Sequence, residues 1–304
     1  MQKKVSFVLA TVVLLVSMLM GWKYYLVEEA LLAEQIAAET NEIVKTIRYQ
    51  FRVQNTSNEV IKNSQFVVYA PAHVMGRQEV LSLSANREFE LNEMPLGNRS
   101  LMFTLDVLPP YASKQIVITA KLKVFDGAVS VVLTDELQTK FLQEEPFIEV
   151  SHPAITAQAK VLAKETEQPF GNTIYKWLTD HVQDIGLVSA NRGALYALQN
   201  QKGDCTEFMY LFSALARAEQ VPTRNLGGFV LPQNGLLTAS DYHNWAEFYD
   251  GKYWRIADGQ KQVFDQGYDN YIIMRILGLN ETQDDFSQSQ RFLAFDPRLK
   301  VSMD

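Results

Sequence analysis

The chain contains a single cysteine, Cys205, and its position has the features of a helix start. Asp204 can cap that helix through its side chain, and Glu207, three residues later, can complete a capping box. Apolar residues follow at helical spacing: Phe208, Leu211, Phe212 and Leu215. The first turn of a helix favours an anion, which lowers the pKa of a thiol and makes it a nucleophile. A small buried hydrophobe is the alternative interpretation of Cys205.

An imidazole and a carboxylate occur in a segment whose pattern predicts a β-hairpin. Two aromatic-rich runs flank Asp250-Gly251, a dipeptide typical of two-residue hairpin turns. With these two residues as the loop, His243 lies directly opposite Asp258. The Cβ atoms of opposed residues are about 4.5–5.5 Å apart, so the carboxylate can accept a hydrogen bond from the imidazole. With Cys205, the sequence then supplies a nucleophile, a base and a residue that orients the base.

These motifs resemble those of the transglutaminase-like superfamily of papain-related thiol enzymes. The family pattern is Gly-x-Cys at a helix start, a downstream His followed by an aromatic strand, and an Asp after a Trp-containing strand. The matching stretches are Gly203-Asp204-Cys205, His243-Asn244-Trp245-Ala246-Glu247 and Trp254-Arg255-Ile256-Ala257-Asp258, with a further similar run at 215–224. The resemblance covers roughly residues 145–262. It departs from the family at Gly259-Gln260, where many members have Asp-Pro or Asp-Thr.

The resemblance implies acyl transfer through a thioester on amide bonds of a protein or peptide substrate. Cys205 would attack the carbonyl, His243 would take its proton and return one to the leaving amine, and Asp258 would hold the imidazole. An amine acceptor gives transglutamination, whereas water gives a cysteine peptidase or amidase, and both outcomes stay open. A non-catalytic membrane-anchored binding protein is the alternative from another class.

Further residues are candidates for supporting roles. The backbone N–H of Cys205 can donate to an oxyanion. By similarity to the papain-like spacing, Gln199 is a candidate second donor, with Gln201 and a plain helix-end role as alternatives. Trp245 lies on the same strand face as His243 and is a candidate wall of the cleft, although a core position is the more common role of a tryptophan.

The N-terminus predicts a membrane anchor. Lys3 and Lys4 precede Val5 to Trp22, a stretch without charge that is nearly long enough to span a bilayer. We therefore expect an uncleaved signal-anchor at 1–25, with the rest of the chain on the periplasmic or extracellular side of the cytoplasmic (inner) membrane. A cleaved signal peptide is the alternative, but no small-x-small site follows closely. An Ala- and Glu-rich stretch predicts a helical stalk at 26–45.

Two domains are expected after the stalk. Alternating apolar residues in 47–53, and similar runs at 65–69, 100–107 and 115–124, predict an immunoglobulin-like β-sandwich at 46–145, acting as a spacer or docking module. Helical patterns then precede aromatic strands, which fits an α+β, papain/transglutaminase-like domain of helices on an antiparallel sheet at 146–304. A further helix is expected at Tyr271–Leu279.

Composition argues against several other functions. The net charge is −7 and no basic stripe is present, so nucleic-acid binding is not expected. Four histidines and one cysteine lack metal-ligand spacing, so neither a metal nor another cofactor is expected. Gly227-Gly228 is interpreted as a bend between strands rather than a phosphate loop. Glu207 and Glu247 are an alternative carboxylate pair, but a capping role and a strand position fit them better.

Overall fold

The computed structural model describes residues 41–164, 169–187, 191–278 and 292–303. The predicted signal-anchor and residues 26–40 of the predicted stalk lie outside these ranges, and residues 42–45 belong to the first strand. Within the described ranges, no helix is both long and apolar enough to cross a membrane.

The first half of the chain forms two antiparallel sheets that share one core. Its strands are β1 (Glu42–Asn55), β2 (Ile61–Ala70), β3 (Gln78–Ala85), β4 (Glu90–Glu93), β5 (Arg99–Leu108) and β6 (Ser113–Phe125). One sheet runs β1-β6-β3 and the other runs β2-β5-β4. The predicted alternation in β1 is present, because Ile47, Tyr49, Phe51 and Val53 are buried against residues of both sheets. This is a β-sandwich; its immunoglobulin-like topology stays a prediction.

The second half places helices on an antiparallel sheet. The helices are α1 (Asp135–Lys140), α2 (Pro153–Lys164), α3 (Phe170–His181), α4 (Gly193–Asn200) and α5 (Cys205–Ala218). Two short strands, β7 (Gln183–Asp184) and β8 (Lys202–Gly203), pair in parallel just before α5. The main sheet contains β9 (Thr223–Val230), β11 (Tyr242–Tyr249), β12 (Trp254–Asp258), β13 (Val263–Phe264) and β14 (Tyr271–Leu277), in the order β13-β12-β11-β9-β14. Helix α5 packs on one face of this sheet through a shared apolar core.

Three further strands add to the sandwich from the second half of the chain. They are β10 (Gly235–Leu236), β15 (Phe292–Phe295) and β16 (Leu299–Met303). Strands β10 and β16 pair with β1, and β15 pairs with β2. The end of the chain thus returns to the sandwich, whereas the sequence analysis grouped all of 146–304 in one domain.

The predicted helix at 271–279 is wrong, because Tyr271–Leu277 forms strand β14. All seven residues of β14 are buried, so the segment has no alternation that would mark a strand. A short, continuous apolar run cannot be assigned to helix or strand from periodicity alone. The bend predicted at Gly227-Gly228 is also wrong, since both glycines lie inside β9. A Cβ on Gly228 would lie 2.0 Å from the carbonyl oxygen of Ile272. The close approach of the two strands therefore requires glycine at this position.

The predicted hairpin is present, but its register is wrong. Tyr249 pairs with Trp254 rather than with Lys252, and the Asp250 N–H donates to the Tyr253 carbonyl at 3.1 Å, so the two-residue loop is Gly251-Lys252. The carboxylate of Asp250 accepts the backbone N–H of Lys252 at 3.0 Å, which closes the turn. Gly251 has a φ of 98°, and a glycine with positive φ at the first loop position is typical of a type II′ turn.

The corrected register still leaves His243 and Asp258 on one face of the sheet. It shifts the opposed positions by two residues, which places Asp258 opposite Trp245 instead of His243. Side chains change face with every single-residue slip, so a two-residue slip restores the original face. His243 and Asp258 are then diagonal neighbours, about 7–8 Å apart at the backbone and within reach of each other's side chains.

Side-chain amides of the sandwich half cover the outer edge of β14. Gln78 donates to the carbonyl of Ile273 at 2.8 Å and accepts its N–H at 3.0 Å. Asn98 makes the same pair of bonds to Ile276, at 2.9 and 2.7 Å. An edge strand otherwise presents unpaired N–H and C=O groups, so the sandwich half completes the hydrogen bonding of the main sheet.

A buried charge cluster joins the same two parts of the chain. Glu247 of β11 is fully buried and binds Arg77, from the segment before β3, at 2.8 Å. Its second carboxylate oxygen binds Arg224 of β9 at 2.6 Å. The Arg77 guanidinium also lies over the ring of Tyr268, 4.4 Å from its centroid. Residues from both halves therefore form one packed interior, rather than an independent spacer and an independent catalytic module.

Candidate active site

Cys205 is the first residue of α5, and the predicted cap of that helix is present. Asp204 accepts the backbone N–H of Thr206 at 2.9 Å, and the Glu207 carboxylate accepts the N–H of Asp204 at 3.1 Å. Gly203 allows the close packing of this turn, because a Cβ there would lie 2.3 Å from the Cβ of Glu207. The capping box fixes how the chain enters the helix, and with it the position of Cys205.

His243 and Asp258 form a buried, hydrogen-bonded pair. His243 Nε2 lies 2.6 Å from Asp258 Oδ2, and their side chains are only 4% and 2% exposed. Asp258 Oδ1 accepts the backbone N–H of Lys261 at 3.1 Å. Because the carboxylate engages Nε2, Nδ1 is the ring nitrogen that is left to exchange a proton with a nucleophile.

Tyr271 also binds Asp258, a contact that was not predicted from the sequence. Its hydroxyl donates to Asp258 Oδ2 at 2.8 Å, the same oxygen that faces His243. Burial, and next the charge of Asp258, raise the pKa of Tyr271, so its hydroxyl stays protonated. Tyr271 also packs on Trp245, with ring centroids 4.9 Å apart. Asp258 is thus held by hydrogen bonds from three directions.

Asn244 joins the strand of His243 to the helix of Cys205. Its Nδ2 donates to Thr206 Oγ1 at 2.8 Å, and its backbone amide acts to lower the pKa of the Cys205 thiol. The start of β11 therefore lies against the first turn of α5. Within the described residues, no hydrogen bond joins Cys205 Sγ to His243. Catalytic hydrogen bonds are often long in unliganded enzymes and tighten when substrate binds.

The resting thiol of Cys205 is neutral, which corrects the prediction of a lowered pKa. Burial raises the pKa of this thiol to about 12, and the nearby carboxylate of Asp204 adds to the rise. Hydrogen bonds from Asn244 and Thr206 act in the opposite direction. A thiol with a raised pKa becomes a nucleophile only when a base removes its proton.

The remaining candidate residues lie as follows. Gln199 is on the exposed side of α4, and Gln201 ends that helix in a left-handed conformation, also exposed. Neither has a hydrogen bond to Cys205 among the described contacts, and the oxyanion role of Gln199 stays a prediction. Trp245 is 1% exposed and belongs to the apolar core next to the His243–Asp258 pair. This core position is the alternative role that was considered for the tryptophan.

Glu207 and Glu247 have the structural roles expected of them. Glu207 closes the capping box and binds Arg192 at 2.7 Å, and Glu247 is the buried strand residue described above. Among the described residues, no group of three or more His, Cys, Asp and Glu side chains is placed to hold a metal ion.

Of the two site residues that were not predicted, Asn244 had a signal in the sequence. Asn244 is a polar residue on the same strand face as Ala246 and Phe248, which are buried in the apolar core shared with the helix. A buried amide needs a hydrogen-bond partner, and Thr206 on the facing helix provides it. Tyr271 gave no signal, because its segment was assigned to the wrong secondary structure.

A conservative change tests the contact of Tyr271 with Asp258. In Tyr271→Phe, the carboxylate loses a donor and interacts more strongly with the His243 imidazolium. We expect the acidic limb of the kcat/KM profile to move to higher pH by about one unit, so that kcat/KM falls about tenfold on that limb. Tyr249→Phe, which removes a buried hydroxyl bonded to Val131 O at the other end of β11, is the matched control. Equal pH profiles for the two variants would contradict a role through Asp258.

Comparison with known proteins supports the family resemblance and the fold. Residues 156–259 match the family model of the transglutaminase-like superfamily, which confirms the resemblance. A structure described as a candidate cysteine protease from Cytophaga hutchinsonii aligns with 87% of this chain and 92% of its own, at a TM-score of 0.56 and 16% identity. The periplasmic domain of TgpA from Pseudomonas aeruginosa aligns with 74% of this chain and 93% of its own, at a TM-score of 0.42 and 14% identity. The first similarity shows a shared fold, and the second is too weak to carry an argument. A search of curated proteins found no match.

Proposed function

We propose that this chain, which contains a transglutaminase-like domain, is a thiol enzyme that acts on protein or peptide amide bonds through a thioester on Cys205. The observation that carries the proposal is the placement of two preformed halves. The capped helix start holds the thiol, the buried His243–Asp258 pair lies at the start of β11, and Asn244 fastens the one to the other.

The residues fit each step of such a reaction. Cys205 Sγ forms a bond to the amide carbonyl carbon while its proton passes to His243 Nδ1, and Asp258 stabilises the imidazolium. The oxyanion forms next to the backbone N–H of Cys205, the first of α5, because the capping box already occupies the next N–H groups. The C–N bond then breaks, the leaving amine takes the proton from Nδ1, and a thioester remains. An amine or water then gives a proton to Nδ1 and attacks the thioester carbonyl, the C–S bond breaks, and the proton passes from Nδ1 to the sulfur, which restores the thiol.

The finer assignment of the reaction is part of the proposal. Transglutamination requires an amine acceptor, whereas a cysteine peptidase or amidase uses water. The Cytophaga hutchinsonii structure with the same fold is described as a candidate protease, which favours testing hydrolysis first. A non-catalytic binding protein is the weaker candidate, because it has no need of a buried imidazole–carboxylate pair beside a thiol.

One substrate can separate these reactions. The purified protein is incubated with casein, with and without dansylcadaverine. Dansyl incorporation into casein indicates transglutamination, ammonia release without cleavage indicates deamidation, and new amino termini indicate proteolysis. Any of the three, absent from Cys205→Ala, supports the proposal. The same product from wild type and Cys205→Ala overturns it.

We also propose that the chain acts outside the cytoplasm, anchored by residues 1–25, with an immunoglobulin-like sandwich next to the catalytic sheet. The uncharged stretch 5–22 and the two preceding lysines support the anchor. The two packed antiparallel sheets support the sandwich assignment.

The anchor makes a direct prediction. The full-length protein is expected to sediment with membranes and to resist extraction by salt or alkali, and protease added outside spheroplasts is expected to digest the domains. N-terminal sequencing of mature protein that starts between residues 28 and 34 would instead show a cleaved signal. Digestion only from the cytoplasmic side would show the reverse orientation.

A further inference from the structure

Two buried polar side chains beside Cys205 have no part in the proton transfer described above. Thr206 is fully buried and Asn244 is 2% exposed. Asn244 Nδ2 donates to Thr206 Oγ1 at 2.8 Å. Because a hydroxyl has a single proton, the oxygen that accepts from Asn244 is free to direct its own proton elsewhere.

The sulfur of Cys205 lies within reach of that proton. Thr206 Oγ1 lies 3.9 Å from Cys205 Sγ, within the range of hydrogen bonds to sulfur. The backbone amide of Asn244 also acts to lower the pKa of this thiol. A neutral thiol gains little from these donors, whereas hydrogen bonds to a charged group are roughly twice as strong as neutral ones. Both donors therefore favour the thiolate that forms once the proton has left.

The strand opposite Asn244 leaves room for its amide. Asn244 pairs with Gly227 across the sheet, and a Cβ on Gly227 would lie only 3.1 Å from Asn244 Oδ1. A larger residue at this position would press on the amide and alter its direction. Tyr242 Oη would lie still closer to that Cβ, at 2.5 Å, so Gly227 accommodates both side chains.

We propose that Thr206 and Asn244 are positioning residues that stabilise the thiolate of Cys205 during proton transfer to His243. Asn244 orients the Thr206 hydroxyl, and that hydroxyl donates to the sulfur as its proton moves to Nδ1; no bond to either side chain is made or broken. The inference rests on the proposed function for its role in catalysis. The effect on the thiol itself does not depend on any substrate.

The test is the rate at which iodoacetamide alkylates Cys205, measured by intact mass against pH. Thr206→Val keeps the backbone N–H that binds Asp204 and the branched shape, and removes only the hydroxyl. We expect alkylation below the thiol pKa to slow about 10-fold to 100-fold, and Thr206→Ser to restore it. Ser213→Ala is the matched control, because it removes another buried hydroxyl of α5, bonded to Asn225 at 2.5 Å and two turns away. It should alkylate like wild type.

Asn244→Ala keeps the Thr206 hydroxyl but removes its orienting donor, and we expect a smaller slowing in the same direction. If thermal unfolding shows that Thr206→Val is not folded, Asn244→Ala replaces it in the test. Alkylation of both folded variants at the wild-type rate overturns the inference, and so does a slow Thr206→Val that Thr206→Ser does not restore. If casein is not turned over but alkylation slows as expected, the proposed function fails and the role of these residues at the thiol stands.

Discussion

Cys205→Ala is expected to remove amide turnover, lowering kcat/KM by a factor on the order of 10³ to 10⁶, without unfolding the protein. The thiol is the only group at the start of α5 that can form a thioester, and alanine keeps the helix cap made by Asp204 and Glu207. His243→Ala is expected to cause a loss of the same order, because the neutral thiol requires a base. Turnover on casein, with thermal unfolding as the check of the fold, measures both effects.

The two losses should not add. In the proposed mechanism Cys205 and His243 act as one unit, so the double variant is expected to be no worse than either single variant. His73→Ala, a change at an exposed histidine of the sandwich half, is the control and should keep wild-type turnover. Wild-type turnover by Cys205→Ala would exclude the covalent mechanism, and fully additive losses would show that the two residues act independently.

Glu247→Gln is expected to lower the free energy of unfolding by about 3–5 kcal/mol. The change leaves the buried guanidiniums of Arg77 and Arg224 without a compensating charge. Glu93→Gln is the matched control, because Glu93 pairs with Arg99 at an exposed site, where an ion pair contributes about 0–1 kcal/mol. Urea unfolding of both variants and wild type measures the difference. Equal midpoints for the two variants would contradict a stabilising role of the buried cluster.

The stabilisation from Glu247 should also depend on pH. Burial acts to raise the pKa of Glu247, but the charges of Arg77 and Arg224 outweigh it, so its pKa lies below the ordinary value. A group whose pKa is lowered on folding stabilises the folded state above its unfolded pKa and loses that effect as the pH falls through the folded value. The difference between wild type and Glu247→Gln should therefore be full near neutral pH and shrink below about pH 4.

The buried charge cluster of Glu247, Arg77 and Arg224 also bears on the role of the sandwich half. Arg77 comes from the sandwich half, Glu247 is on the strand of His243, and Gln78 covers the edge of β14. The face of the sheet that holds His243 is thus braced by residues far away in sequence. The spacer role suggested by the sequence is too weak a description, because the sheet depends on the sandwich half for hydrogen bonds and charge balance.

Local sequence signals predicted the elements that carry the chemistry. The Asp204–Glu207 capping box, the alternation in β1 and the hairpin near Asp250 are each encoded within a few residues, and each is present. The register of this hairpin was harder to predict from the sequence, because Asp250-Gly251 and Gly251-Lys252 both suit a two-residue loop. The choice depends on the side-chain bonds of Asp250. The predicted contact of His243 with Asp258 is nevertheless present, because a two-residue shift in register leaves both side chains on the same face of the sheet.

Long-range contacts could not be read from the sequence. The identity of β14 follows from its pairing with β9, and the contact of Tyr271 with Asp258 follows from that pairing. The raised pKa of Cys205 likewise depends on how tightly the sheet covers the first turn of α5, whereas the helix start alone suggests the opposite direction. Each of these features depends on tertiary packing rather than on local pattern.

The central claim is a thioester on Cys205, and mass spectrometry of the acid-quenched reaction tests it most directly. The full protein is mixed with casein peptides, quenched within its first turnovers and digested, and the peptide containing Cys205 is examined. We expect an acyl adduct on this peptide that hydroxylamine removes, that accumulates when the acceptor is scarce and that is absent from Cys205→Ala. Turnover of casein peptides by the wild type without any adduct on Cys205, and with equal turnover by Cys205→Ala, would contradict the account.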